Sequence, residues 1–315
     1  MPESIQNIST GPSQGPVTTP SAASLPVTMG RIVDFARDPI AGMRQLWAAH
    51  GVVCALQEDT QRVHFVFGPD QIRQVLSDEQ RFHAQFFAIR GPRKSAQRRV
   101  TSGLLSMNGD EHRRHRRIVM GPFQKRIIAG YHDTVAAVVE DLLADWRPGQ
   151  VRDISAEMTQ FMLELTSRIL FGVDEPELAR RIGALTDEWV RWNHRLGPAA
   201  LAPNPALTTH YDQLLRSADE LEAALQELLQ RRRAGRLGGD VLSLLIRAHE
   251  SEGGISDEQL IGHLALLFGA AHLTSAHTLT WTLFLLAQHP EVMAELDAEI
   301  DRELGRRPPL PDQWD

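Results

Sequence analysis

Residues 266 to 290 read LLFGAAHLTSAHTLTWTLFLLAQHP, an apolar stretch at helical spacing with polar chemistry set in its middle. Gly269, Ala270 and Ala271 strip side-chain bulk from nearly one turn, at a cost in helix propensity at the glycine. That leaves room for something flat or small beside the backbone. Thr274 and Ser275 follow at once. A hydroxyl inside a helix bonds back to the carbonyl four residues earlier, or admits water to the ladder. A groove with a hydroxyl at its lip suits a small polar ligand such as dioxygen or water; close helix packing is the competing explanation for the same small residues. His272 and His277 lack the four-residue spacing of a helical zinc pair, so core or edge positions are expected for them.

The second concentration of chemistry is charge. The chain has 315 residues and a net charge of −7, yet residues 90 to 126 hold eleven Lys and Arg against Asp110 and Glu111. Such asymmetry asks for an anionic partner: nucleic acid, an acidic protein, or an acidic ligand held inside. The cluster has no interleaved aromatics and no reading motif, so no nucleic acid is expected. Within it, His112 and Arg116 are four residues apart and share one helix face, as do Arg113 and Arg117. His112, His115 and Glu111 have a spacing a metal could use, but no further ligand cluster follows and the flanking arginines repel a cation.

These groups need elements to hold them. The first 28 residues are polar and rich in Ser, Thr, Pro and Gly, which predicts a disordered arm and no signal peptide. Next come a helix in DPIAGMRQLWAAHG, a hairpin from VVCALQ and RVHFVFG, and a short helix in PDQIRQVLSD. An irregular stretch with three phenylalanines then runs to Gly109. Helical patterns follow at about 110–126, 130–146, 154–171, 175–194, 207–235, 240–251, 256–288 and 290–304. The fold class is mainly α with a small β element. Ser256 with Gln259 forms a capping-box pattern at the start of the longest helix, which is expected to run through the interior. No apolar run reaches the roughly 20 uninterrupted residues of a membrane span, so the expected location is cytoplasmic, without a membrane anchor. A lone Cys54 excludes an internal disulfide.

With these residues in view, the chain resembles the cytochrome P-450 superfamily, haem-thiolate monooxygenases of the soluble bacterial type. AAHLTS is similar to the signature of the family's central helix, where a small pair and a Thr-Thr/Ser follow one another over the haem. By this match Ala270 and Ala271 form the oxygen pocket and Thr274 is the catalytic hydroxyl. Leu273 stands where the family has the carboxylate of its proton relay. GLLSMNGDEHRRHRRIVMGPF resembles the family's helix whose His and Arg hold the haem propionates, which assigns cofactor binding to His112 and Arg116. LAQHPEVMAELDAEI is similar to the helix that follows the central one.

The resemblance implies insertion of one oxygen atom of O2 into an apolar organic substrate. The cofactor is haem (iron protoporphyrin IX), and electrons come from NAD(P)H through a ferredoxin or flavoprotein reductase. Phe82, Phe86 and Phe87 of the irregular stretch and Leu196 are expected at the substrate. Arg113 and Arg117 are expected to dock an acidic electron donor. Residues 29–315 are then expected to form an incomplete domain, the N-terminal two thirds of the fold, because neither the later helix that carries the family's Glu-x-x-Arg pair nor its glycine-rich cysteine loop is found. Cys54 lies in a strand pattern and reads as a small buried hydrophobe. Lacking the axial cysteine, the chain as given is expected to be inactive; the alternative is a non-catalytic protein that binds a hydrophobic ligand or partner.

Overall fold

The computed structural model describes residues 25–85, 89–172, 176–196, 208–252, 255–305 and positions 307, 309 and 310. The chain divides into two compact units, the first ending at Asp78 and the second beginning at Glu79.

In the first unit β1 (Val27–Met29) runs parallel to β2 (Val53–Glu58), which pairs antiparallel with β3 (Gln61–Val66). The predicted hairpin is therefore present, and its polar turn places Asp59 at a φ of 50°. The first strand lies partly inside the stretch read as a disordered arm: three residues of alternating exposure were too short a pattern to detect. α1 (Ile32–Arg37) leads into α2 (Pro39–His50), which opens on Asp38 accepting from the Ala41 amide and stops at Gly51, φ 78°. α3 (Pro69–Ser77) closes the unit. Cys54, Ala55 and Leu56 of β2 are buried with Leu46 and Ile32.

The second unit is helical: α4 (Ala96–Val100), α5 (Gly109–Val119), α6 (Lys125–Ile128), α7 (His132–Leu143), α8 (Ile154–Phe171), α9 (Pro176–Leu196), α10 (Thr208–Ala234), α11 (Val241–Glu252), α12 (Asp257–Gln288) and α13 (Pro290–Glu303). The single helix expected over 110–126 is broken into α5, a 3-10 turn at Gly121–Phe123, and α6. Pro122 has no amide hydrogen to continue the ladder.

α12 begins as the capping box requires, with Ser256 and Gln259 bonding each other's backbone amides. Its first half is the spine of the core. Leu260, Ile261, Leu264, Ala265 and Phe268 are buried with Leu221 and Leu225 of α10, Leu242 and Leu245 of α11, and Phe171 of α8. Each such side chain contributes about 1.5–3 kcal/mol by leaving water. The Phe171 and Phe268 rings stack at 5.3 Å. The second half differs from the expected buried helix: Trp281, Phe284 and Leu285 are exposed, as are Val292, Met293 and Leu296 of α13. By length and composition α12 passes the test for a membrane-crossing helix, but half of its most apolar window is buried, as in a core helix.

Backbones meet most closely at Gly262 of α12. A Cβ there would lie 2.5 Å from Ser102 Oγ and 2.8 Å from the Arg99 carbonyl, and one on Gly103 would lie 2.5 Å from the Gly262 carbonyl. At Gly269 the nearest atom to such a Cβ is 3.6 Å away, an ordinary contact. The glycine that permits close approach is therefore Gly262, seven residues before the one the sequence singles out.

Candidate active site

A cavity of about 1000 Å³ opens between α9 and the middle of α12. From α12 it is lined by Ala265, Leu266, Gly269, Ala270, Leu273, Thr274 and His277. Their spacing of three and four residues is what brings one face of a helix to one cavity. α9 contributes Asp187, Val190, Arg191 and His194 at the same spacing, together with Trp189 and Asn193. Ile89 and Leu105 come from the irregular stretch before α5.

The walls are mostly apolar, and the polar groups are largely committed. Asn193 donates to the Trp189 carbonyl and accepts from Gln97, whose side-chain carbonyl accepts from the Trp189 indole. Thr274 Oγ1 donates to the Ala270 carbonyl at 2.5 Å, the back-bond open to a hydroxyl in mid-helix. With its hydrogen committed, this hydroxyl can accept a hydrogen bond from a ligand or water but not donate one. Thr278, Thr280 and Thr282 repeat the back-bond further along.

His272 is fully buried: Nε2 lies 3.2 Å from the Thr159 carbonyl, and Nδ1 lies 3.2 Å from Oδ1 of Asp187. His277 is exposed at the cavity, and Ala271 is half-buried and not among its described lining residues.

On α5, His112 is half-buried and Arg116 exposed, and the side chain of neither makes a hydrogen bond or ion pair to another described residue. Arg113, one position on, is held by both Glu79 and Asp110, which cancel its charge locally; Arg117 is exposed. A turn away from His112, the buried His115 bonds His263 of α12 at 3.0 Å. That contact lies eleven residues before Thr274, about 16 Å along the helix at 1.5 Å per residue.

Of the residues expected at the substrate, Phe82 and Leu196 are described. Phe82 is exposed and Leu196 sits in the main core; neither is among the described cavity-lining residues. Phe86 and Phe87 lie outside the described residues. In their stead Ile89 and Leu105 reach the cavity from the same stretch, and α9 supplies a face that sequence reasoning missed. No local signal marks this face, because Asp187, Arg191 and His194 are polar and any helix carries residues at their spacing. Among the described residues no group of three or more His, Cys, Asp or Glu could hold a metal ion.

A core helix that offers small residues and a hydroxyl to a mostly apolar cavity defines a helical domain built around an internal pocket. The chain belongs to the cytochrome P450 family, whose model matches residues 20–314. It is 30% identical over 314 residues to cyclooctat-9-en-7-ol 5-monooxygenase of Streptomyces melanosporofaciens, covering 96% of this chain and 66% of that one. It is 28% identical to pentalenene oxygenase of Streptomyces avermitilis, covering 95% of this chain and 65% of the relative. The fold matches the crystal structure of the cytochrome P450DA heme domain with a TM-score of 0.72 at 20% identity, over 92% of this chain and 66% of that one. The chain thus spans just under two thirds of the length of these relatives.

Family membership implies haem, and the residues on α5 fit its acidic edge: an imidazole and a guanidinium, one turn apart, whose side chains have no partner among the described residues. Cys54 does not fit as the iron's thiolate. It is fully buried on β2, and burial raises its pKa, which keeps it a thiol.

Proposed function

We propose that this chain forms the substrate-holding and propionate-holding part of a haem monooxygenase that acts on an apolar, terpenoid-like molecule. The observation that carries the reading is the cavity, walled by Leu105, Val190, Leu266 and Leu273 and bordered by Ala270 and Thr274. The two named Streptomyces relatives act on cyclooctat-9-en-7-ol and pentalenene by their names, which supports a hydrocarbon skeleton.

Haem, when bound, supplies the activation of dioxygen. The chain's own residues do the rest. His112 and Arg116 hold the two carboxylates of the cofactor. Ala270 and Ala271 keep the neighbouring helix face thin, and the apolar walls exclude water from the reacting bond. Thr274 Oγ1, whose hydrogen is given to the Ala270 carbonyl, accepts a hydrogen bond from a water that delivers protons, because Leu273 carries none. Electrons come from NAD(P)H through a ferredoxin or flavoprotein, with Arg117 in the docking face; the location is cytoplasmic.

Titration of the chain with haem and with haem dimethyl ester, followed by Soret absorbance, tests the anchor. The free acid is expected to bind more tightly, and His112→Ala with Arg116→Ala to erase the difference. Equal affinities in the unaltered chain would remove the assignment. A second reading, a non-catalytic binder of hydrophobic ligands, is favoured by the burial of Cys54. Because no other cysteine occurs in the 315 residues, the reduced carbon monoxide complex of this chain is expected to lack a thiolate-type Soret band. Observing that band would exclude the second reading.

A further inference from the structure

Asp187 is the one carboxylate among the described residues lining the cavity. Its Oδ1 is sealed from solvent and lies 3.2 Å from Nδ1 of the fully buried His272. The two atoms are close, yet neither has an aligned hydrogen bond to any described residue. At the far side of the ring, Nε2 faces the Thr159 carbonyl. A carbonyl only accepts, so Nε2 carries a hydrogen. On a neutral ring Nδ1 would then turn a lone pair toward a carboxylate oxygen. One hydrogen between the two atoms removes that conflict.

Because Oδ1 is sealed, the 26% exposure of the Asp187 side chain belongs to Oδ2 and the methylene. Oδ2 makes no hydrogen bond to another described residue. The remaining polar neighbours do not satisfy it. Arg191 donates through Nε to the Asp187 backbone carbonyl, Asn193 is committed to Trp189 and Gln97, Thr274 has given its hydrogen to Ala270, and neither His194 nor His277 bonds it. A carboxylate oxygen is therefore held beside a buried ring and presented to a mostly apolar cavity.

We infer that Asp187 is a specificity anchor that accepts a hydrogen bond from a hydroxyl on an otherwise apolar, polycyclic ligand. This rests on reading the cavity as the substrate site, and it deepens that reading: the substrate arrives already carrying an alcohol, so an alcohol-forming step precedes this one. His272 acts through Asp187 as a positioning residue. A neutral alcohol is preferred over the parent hydrocarbon and over its ether, which keeps the oxygen but has no hydrogen to give.

Cedrol, cedryl methyl ether and cedrane share one tricyclic skeleton and serve as probes for isothermal titration calorimetry of the whole chain. Cedrol is expected to bind about tenfold more tightly than either analogue, the increment of one hydrogen bond to a held carboxylate. In Asp187→Leu with His272→Phe, which removes both members and leaves no buried group unpaired, the three are expected to bind alike. Asp187→Asn keeps the volume and should lower the preference severalfold, which serves if the double variant does not fold. Equal binding of all three probes by the unaltered chain overturns the anchor and leaves the cavity reading standing. Binding of none overturns both. An alcohol preference that survives in the variants takes the role from Asp187.

Discussion

Nδ1 of His115 and Nε2 of His263 lie 3.0 Å apart and join α5 to α12 through two fully buried rings. Burial, and then repulsion from His115, pushes the His263 pKa down to about 4. Burial lowers His115 as well, with Arg114 adding repulsion. The contact ties the helix of the proposed propionate anchors to the helix of the proposed oxygen pocket, and it has a pH signature.

In an unfolded chain histidine titrates near about 6.5. Above that pH both states carry neutral rings and the pair's contribution is intact. As pH falls from 6.5 toward 4 the unfolded chain takes up a proton that folded His263 refuses, so stability drops, by about 3 kcal/mol at pH 4. Urea unfolding at pH 7, 5.5 and 4.5 measures this. His115→Phe with His263→Leu should have a shallower acid slope than the unaltered chain. Parallel slopes would show that the rings do not titrate as their burial requires.

Two glycines of α12 are expected to respond in opposite directions. Gly262→Ala forces a Cβ to within 2.5 to 2.8 Å of Ser102, Arg99 and Gly103, so α12 and the α4 segment must separate, at about 1–3 kcal/mol. Gly269→Ala meets nothing closer than Thr186 at 3.6 Å and gains helix propensity, which stabilises by up to about 1 kcal/mol. Thermal unfolding of the two single variants decides. A destabilised Gly269→Ala would mean that the cavity wall is tighter than the fold indicates.

Arg232 and Asp240 are both buried, with Arg232 donating to the Phe171 carbonyl and Asp240 accepting from the amide and hydroxyl of Ser243. Asp240→Ala removes the carboxylate 3.6 Å from the Arg232 guanidinium and uncaps α11, for a loss of about 1–3 kcal/mol. Asp240→Asn keeps the acceptor to the Ser243 amide and should lose less. Denaturant midpoints of the two variants that coincide would show that the charge of Asp240 is immaterial.

Much of this architecture was readable beforehand because its signals are local. The α8 boundaries at 154 and 171, the capping box at Ser256 and the hairpin through Cys54 each follow from residues within a few positions of one another. What depends on distant partners was not. Nothing in the sequence distinguishes Gly262 from Gly269 until the Arg99–Gly103 backbone is laid against one of them. Asp187 looked like an ordinary acidic helix residue until α9 packed on α12 and set it beside His272. In the irregular stretch the sequence points to phenylalanines, of which Phe82 is exposed, and it gives no hint that Ile89 and Leu105 line the cavity. The small residues and hydroxyl at 270 and 274 were legible because one helix face carries them both.

Thr274 separates stability from function. Its hydroxyl bonds back to Ala270 in the middle of an exposed turn, an arrangement that slightly disfavours a helix, and threonine is a weaker helix former than alanine. Thr274→Ala is therefore expected to stabilise the chain by about 0.3–0.7 kcal/mol, read as a rise in the midpoint of thermal unfolding. In turnover by a full-length monooxygenase of the kind proposed, one that supplies the axial cysteine, the same change should divert reducing equivalents from product to hydrogen peroxide, since the acceptor that orders the proton-delivering water is gone. Thr274→Ser restores the hydroxyl and should recover the coupling without the gain in stability. A Thr274→Ala protein that is more stable and equally well coupled would leave this hydroxyl no part in proton delivery.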